Sequence, residues 1–462
     1  MNAHQWRTRA LIASGAMLLL LTAAGLWRQH LYDTDGFTIL ALVQGAFYLG
    51  AVLLTWRGGL SRRALIAVLA VAALMRLGVL LAPPYLSDDI NRYVWDGRVE
   101  AAGINPYRYI PEDPHLASLR DETVFPRINR SDYAPTIYPP LAEYIFFLGT
   151  RLSASLTAMK ATLLVFELAG VLLLFRLLAG SRLPRERILI YAWHPLPLWE
   201  FAGSGHVDAA VVTFVALALW ARGRHRAWLT GSALAAAALV KFFPAVLFPA
   251  LYRRWDWKMP LAAAATVVLA YLPFIGARDA VIGFLPGYLQ QEDYTSGTRY
   301  GIIGLVVTGP LASAVAVLVL AAIALAVMQF TDPDRPWTGA LYMTAGALAV
   351  TTPHYQWYAL LLVMLVALDG RPEWLAFAAG GYYAAYPDLG ARYITQWQLR
   401  NAIAYGVPLL VVGAGWLIRH ELARRAPAVA EPVAAEPVPA EPVPVEAVAL
   451  EAGTPAGREV PV

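Results

Sequence analysis

The chain has 462 residues, of which 58% are hydrophobic and only 15% are charged, and its mean hydropathy is +0.52. Soluble domains carry about 25% charged residues, so this composition excludes an ordinary soluble enzyme. The absence of cysteine excludes disulfides and thiolate metal sites, and the net charge of +4 is too small to indicate a nucleic-acid surface.

Apolar residues fall in runs of about 17 to 25, the length that crosses a hydrocarbon core of about 30 Å. We therefore predict an all-α, polytopic transmembrane protein. The first run, after Arg7 and Arg9, is interpreted as a membrane helix rather than a cleaved signal, because many spans follow it. About twelve spans are predicted, at 9–27, 37–56, 64–82, 156–179, 187–203, 206–222, 259–275, 311–330, 337–351, 354–370, 373–387 and 402–419.

Two further apolar stretches do not fit a simple crossing. Residues 140–152 are short, so they are expected to lie in the interface or to re-enter. Residues 227–252 are interrupted at Lys241 and Pro244, and proline breaks a helix. We expect two half-length helices there, entering and leaving on the same side.

Basic clusters orient the chain, because Lys and Arg accumulate in cytoplasmic loops. All dense clusters fall on one side of the predicted layout, which places both termini in the cytoplasm. The outer side of this plasma or inner membrane then receives residues 83–139, 276–310, 352–353 and 388–401. The clusters are Arg7 and Arg9; Arg57, Arg62 and Arg63; Arg182, Arg185 and Arg187; Arg222, Arg224 and Arg226; Arg253, Arg254 and Lys258; and Arg419, Arg424 and Arg425.

The chain is predicted to have one transmembrane domain, residues 1–425, followed by a tail. Residues 426–462 repeat glutamate, proline and valine, as in Glu431-Pro432 and Glu436-Pro437. Such a segment buries too little apolar surface to fold, so we predict a disordered cytoplasmic tail.

The outer loop 83–139 is long enough to be functional. Its pattern predicts a helix that begins near Ser87 or Asp88 and stops at Gly103. At 100° per residue, one face of this helix carries three carboxylates, a cation and a phenol. These are Asp89, Arg92, Tyr93, Asp96 and Glu100.

Two interpretations of this face remain open. It either forms a general base or metal site beneath a substrate, or it is a solvated face on which Asp88 and Asp89 serve as helix caps. Polar residues within other spans add to the first interpretation, since intramembrane ionisable groups indicate function. Those that the layout places toward the outer side are His194, Glu200, His206, Asp208 and His354. Arg76 and Glu167 lie deeper, where they are expected to pair between helices.

Several motifs resemble those of the GT-C class of polytopic glycosyltransferases, and within it the polyprenyl-phosphate-mannose-dependent mannosyltransferases of bacterial envelopes. The resemblance covers about residues 80 to 370. In the first large loop it rests on the acidic pair with Tyr93 and on three motifs: Trp95-Asp96-Gly97-Arg98, Gly103-Ile104-Asn105-Pro106-Tyr107 and Pro135-Thr136-Ile137-Tyr138-Pro139-Pro140. Later in the chain it rests on Gly205-His206-Val207-Asp208-Ala209, on Leu239-Val240-Lys241, and on Pro353-His354-Tyr355 with Trp357-Tyr358.

The resemblance implies a polyprenyl-phosphate sugar donor and a glycan or glycolipid acceptor. It also implies that the transferred group is a hexose, namely mannose. It makes Asp89 the preferred catalytic base, with Asp88 second, in a single inverting displacement. We expect Arg299 and Lys241 to bind the donor phosphate and His354 to orient it or the acceptor. The residues expected to bind substrate are Tyr93, Asp96, His206, Asp208, Tyr355 and Trp357. Asp89, Arg299 and His354 are expected to face one outer cavity.

No cofactor is predicted, although adjacent carboxylates suit a hard divalent cation. The spacing is not a dedicated ligand pattern, and a monophosphate donor needs a metal less than a diphosphate does. Two other functions stay open: a transporter or flippase of lipid-linked substrates, which interrupted helices favour, and an envelope-polymer ligase or polymerase.

Overall fold

A computed structural model describes residues 3–56, 59–385, 394 and 396–425. The predicted tail, residues 426–462, lies outside the described residues. By internal contacts the chain divides into a unit Met1–Gly415 and a unit Trp416–Val462. The described residues form helices and no β-strand, which confirms the all-α prediction.

The α-helices are numbered in chain order. They are α1 Ala3–His30, α2 Thr34–Thr55, α3 Arg62–Leu80, α4 Asp89–Ala101, α5 Pro140–Leu152, α6 Leu156–Gly180, α7 Ile188–Ala192, α8 Pro195–Pro197, α9 Asp208–Gly223, α10 Ala227–Val240, α11 Phe248–Leu251, α12 Lys258–Tyr271, α13 Leu285–Gln291, α14 Pro310–Phe330, α15 Pro336–Thr351, α16 Leu360–Asp369, α17 Ala376–Ala385 and α18 Trp397–Arg425.

Short 3₁₀ and π-helical segments connect several of these α-helices. One π-helical segment spans Leu198–Gly203. The 3₁₀ segments are Pro114–Leu119, Phe125–Arg127, Arg185–Arg187, Phe243–Leu247, Leu272–Ile282, Ile303–Leu305, Gln356–Ala359 and Pro372–Leu375.

Seven helical segments of the described residues are long and apolar enough to cross a membrane, so the chain is a membrane protein. They confirm seven of the predicted spans. They are Trp6–His30, Thr34–Thr55, Arg62–Leu80, Leu156–Gly180, Lys258–Gln291, Pro310–Phe330 and Trp397–Arg425.

The other five predicted spans are helical in their described parts, but shorter or interrupted. Residues 187–203 break at His194 and Pro195, and α16 has only ten residues. These segments are buried by neighbouring helices; every residue from Leu360 to Leu368 is buried. A helix enclosed by protein does not face lipid along its length. Neighbouring protein groups can therefore hydrogen-bond to the backbone N–H and C=O groups that a break leaves unpaired. Continuous apolar length is therefore required only of the outer helices.

Local chemistry explains where several long helices begin. The side chains of Asp33, Ser61 and Ser155 accept hydrogen bonds from the backbone N–H groups at the starts of α2, α3 and α6. Such caps satisfy N–H groups that have no partner within the helix. The predicted break within 227–252 is confirmed, since α10 ends at Val240 and Lys241 has an extended backbone.

An ion pair buried between helices also confirms the sequence analysis. Arg76 Nη2 of α3 lies 2.6 Å from Glu167 Oε1 of α6, and both side chains are almost fully buried. Arg76 Nη1 additionally donates to the carbonyl of Ala192. In the interior, the pair thus joins α3 to α6 and α7, which lie far along the chain from α3.

The helix predicted in the outer loop is α4, which packs closely against α5. Its end is as expected, because Gly103 has a φ of +77°, a conformation that glycine adopts readily. At the centre of the contact lies Gly97, where a Cβ atom would meet the backbone carbonyl of Phe146. This close approach sets the position of α4, and therefore of Asp89 at its start.

We expect the G97A variant to lower the free energy of unfolding by about 1–3 kcal/mol, the usual cost of overfilling a packed contact. The measurement is the midpoint of thermal unfolding in detergent. G78A is the matched control, because nothing lies within 4 Å of a Cβ at that helical glycine. Equal unfolding midpoints for G97A and G78A would show that the α4–α5 contact is not tight.

Candidate active site

A cavity of about 580 Å³ opens where α4 begins. Five separate parts of the chain form its wall: the start of α4, the loop before α5, the break after α10, α13 with the residues just after it, and the segment before α16. The lining residues are Leu86, Ser87, Asp88, Asp89, Arg92, Asn129, Arg130, Ala134, Ile137, Tyr138, Pro139, Lys241, Phe242, Phe243, Leu285, Tyr288, Leu289, Glu292, Tyr294, Tyr355, Trp357 and Tyr358.

Asp89 is the first residue of α4, and its side chain is 26% exposed. Its Oδ1 accepts a hydrogen bond of 3.1 Å from Asn129 Nδ2, and its Oδ2 lies 3.9 Å from His206 Nδ1. Asp88 is exposed, and its side chain makes no capping hydrogen bond. Ser87 Oγ accepts from the Asp89 N–H instead. Asp89 is therefore the oriented carboxylate of the pair.

The face of α4 that begins at Asp89 is buried rather than solvated. Tyr93 stacks on Phe146, with ring centroids 4.5 Å apart, and meets Tyr138 edge-on at 5.1 Å. Burial raises the pKa of Tyr93 well above its usual value, and the negative charges of Asp89 and Asp208 add to the effect. Tyr93 thus lies beneath the site as a neutral phenol and does not line the cavity.

Asp96 is also behind the wall, which corrects its prediction as a substrate-binding residue. Its Oδ1 lies 2.8 Å from Arg92 Nε, one helical turn away, and both side chains are buried. Burial raises the pKa of Asp96, and burial together with the Asp96 charge raises the pKa of Glu100 to about 7. Arg92, which the sequence analysis placed on this face without a role, does line the cavity.

Lys241 projects from the break after α10 into the cavity, where its side chain is 21% exposed. Its Nζ lies 2.8 Å from Asp208 Oδ2 and 4.9 Å from the centroid of the Tyr358 ring. Asp208 is 1% exposed and lies outside the lining, where it is the ion-pair partner of Lys241.

Aromatic side chains form another part of the wall. Tyr355 and Trp357 are stacked, with centroids 4.3 Å apart and planes 6° from parallel, and both line the cavity. The His206 ring packs against Trp357, with centroids 4.2 Å apart. His206 is 1% exposed and does not line the cavity.

Arg299 and His354 also lie outside the lining of this cavity. Arg299 is buried; it donates to the carbonyl of Thr351 and forms an ion pair with Glu292, which does line the cavity. His354 packs edge-on against Trp397 at 4.9 Å. The expectation that both residues share a cavity with Asp89 is therefore wrong.

Arg130 is a cavity residue that the sequence analysis missed. Its Nε donates to Gln291 Oε1 at 3.1 Å, and its guanidinium lies over the Tyr288 ring. Gln291 in turn donates to Tyr133, so the loop before α5 meets α13 across about 160 residues of sequence. No local motif marks such an approach, and only the high Tyr content of both loops hinted at it.

The geometry brings three carboxylates, three cations, stacked aromatic rings and apolar side chains to one cavity. Within the described residues, no group of three or more His, Asp or Glu side chains has the arrangement of a metal site. Together with the spans, these features define a polytopic membrane protein with a cavity suited to an anionic, amphiphilic substrate.

Comparison with known protein families identifies the enzyme class of this chain. The model of the MptA_B family, described as alpha-(1->6)-mannopyranosyltransferase, N-terminal domain, matches residues 8–256, and the chain belongs to this family. It is therefore a mannosyltransferase, as the resemblance to GT-C enzymes indicated, rather than a flippase or a polymerase. No curated protein and no solved structure gives a match.

Proposed function

We propose that the protein transfers mannose from a polyprenyl-phosphate donor to a glycan or glycolipid acceptor of the cell envelope, with inversion at the anomeric carbon. The observation that carries this proposal is the composition of the cavity. Asp89 lies on one wall, the cations Arg92, Arg130 and Lys241 line other parts, and apolar side chains continue beyond them.

Asp89 is the proposed general base. The acceptor hydroxyl oxygen attacks the anomeric carbon, the bond from that carbon to the phosphate oxygen breaks, and the phosphate leaves with the electron pair. The hydroxyl proton passes to Asp89. A single displacement of this kind inverts the configuration. General-base assistance contributes about 10² to 10⁴ in rate.

Lys241 and Arg130 are the proposed ligands of the departing phosphate, with Arg92 beside them. Each lines the cavity, whereas Arg299 lies behind Glu292. Cations at a leaving phosphate stabilise the charge that develops there during the reaction. Tyr355 and Trp357 offer stacked ring faces on which a sugar packs.

The apolar part of the cavity supports a lipid-linked donor. Phe242 and Phe243, after α10, and Leu285 and Leu289, of α13, line it, and Phe242 and Leu289 are both 37% exposed. A nucleotide sugar has no apolar chain to cover these side chains, whereas a prenyl chain does. The cavity is proposed to open on the extracytoplasmic side, with both termini in the cytoplasm, because the basic clusters then lie inside.

The donor is tested with purified protein reconstituted in bilayer discs. We expect mannose transfer from polyprenyl-phosphate mannose to a panel of mannosyl acceptors, and none from a nucleotide-linked mannose. We also expect transfer to persist in excess chelator, because the protein cations neutralise a monophosphate. Consumption of the nucleotide sugar alone would overturn the lipid donor, and loss of activity on chelation, restored by Mg²⁺ or Mn²⁺, would show a metal requirement.

A further inference from the structure

A row of polar side chains lies behind the cavity, on the side of Asp89 that faces the protein interior. Asp89 Oδ2 is 3.9 Å from His206 Nδ1, and His206 Nε2 is 3.3 Å from Glu200 Oε2. Glu200 Oε1 accepts a hydrogen bond of 2.7 Å from Gln356 Nε2. The row therefore runs from a cavity residue to a fully buried carboxylate.

Glu200 is fully buried, and a carboxyl group removed from water needs hydrogen-bond or charge partners within the protein. Among the described residues, His206 is the basic side chain within ion-pair distance of Glu200. Both ring nitrogens of His206 are buried without a hydrogen-bond partner, as is Glu200 Oε2. The two imidazole nitrogens therefore face two carboxyl groups, Asp89 on one side and Glu200 on the other.

The other charged groups around the His206 ring are already engaged. Asp208, two residues on, is paired with Lys241. Lys160 of α6, which packs beside Gly205, donates to the carbonyls of Val79 and Ala82. Trp357 covers the ring from the cavity side and adds no charge. The two carboxylates of Asp89 and Glu200 are thus the groups left for the imidazole.

We propose that His206, backed by Glu200, is a positioning residue that directs the Asp89 carboxylate toward the acceptor. This inference rests on the proposed role of Asp89 as the base. Asn129 holds Oδ1 of Asp89, and His206 faces Oδ2. The motif that contains His206 therefore acts through the base rather than on the sugar.

The test is the H206Q variant, assayed with polyprenyl-phosphate mannose. We expect kcat to fall about tenfold while KM for the donor changes less than about twofold, since His206 does not line the cavity. The conservative variant H206N keeps an amide nitrogen near the position of Nδ1, which faces Asp89, and should recover part of the lost kcat.

Variants at Glu200 keep the proposal testable if H206Q folds poorly. E200Q removes the carboxylate behind His206 and should likewise lower kcat with little change in KM, whereas E200D, which retains a carboxylate, should recover part of kcat. The matched control is H194Q. His194 is also buried, but it accepts from the Leu196 N–H and packs on Tyr48, away from the cavity.

The outcomes separate this inference from the proposed function. A loss of kcat in H206Q and E200Q that H206N and E200D do not partly reverse would mean a structural role and overturn the inference. Full transfer by D89N would instead overturn the base assignment itself. A loss of kcat in H206Q and E200Q that is absent in H194Q, and that H206N and E200D partly reverse, supports the positioning role.

Discussion

The D89N variant should transfer mannose about 10² to 10⁴ times more slowly than the wild-type protein, the contribution expected of a general base. The substitution preserves the shape of the side chain and leaves an oxygen to accept from Asn129, so the geometry around the start of α4 should persist. What is lost is the negative charge that receives the acceptor proton. The measurement is the initial rate of transfer at saturating donor, with donor binding measured separately.

D88N is the matched comparison for this result. Asp88 lines the same cavity one residue earlier, but it is exposed and its side chain makes no capping bond. We expect D88N to retain more than about a tenth of the wild-type rate, because a freely solvated carboxylate is not preorganised. The reverse order of activities, with D88N the more impaired, would move the base to Asp88.

The second large effect is expected at Lys241. The K241Q variant should lower kcat/KM for the polyprenyl-phosphate donor about 10- to 100-fold, because a hydrogen bond to a charged group contributes about 1.5–3 kcal/mol. Its Nζ lies at the cavity wall, between Asp208 and the Tyr358 ring. The measurement is the concentration dependence of the rate on the donor at fixed acceptor.

Removing Lys241 also leaves buried Asp208 without its partner, which by itself destabilises the fold. The double variant K241Q/D208N separates the two effects, since it removes both charges. If Lys241 binds phosphate, the double variant should unfold near the wild-type temperature and still bind donor poorly. Recovery of kcat/KM in the double variant would show that the loss came from the unpaired carboxylate, and not from the phosphate.

Features set by local sequence were predictable. The boundaries of α4 followed from Ser87 and Gly103, because capping and a positive φ are properties of a few adjacent residues. The break at Lys241 followed from Pro244 in the same way. The Arg76–Glu167 pair was predictable for another reason: two opposite charges deep in apolar helices have few other partners.

Positions that depend on how distant segments meet were not predictable. Arg299 and Arg130 are both arginines of outer loops, and nothing nearby in sequence distinguishes them. The structure places Arg130 on the cavity wall and turns Arg299 toward Glu292 and a backbone carbonyl. Helical phasing likewise grouped Asp96 with Asp89 on one face, yet Asp96 is neutralised by Arg92 a turn away.

The sequence by itself determined that this is a helical membrane protein of the mannosyltransferase class with an acidic loop helix beginning at Asp89. Length, hydropathy and short motifs carry that information, because membrane crossing and helix capping depend on neighbouring residues. The tertiary structure decided which charges face the cavity and which cancel each other behind it. That outcome depends on contacts between segments over a hundred residues apart, such as His206 with Asp89, and no local pattern encodes their distance.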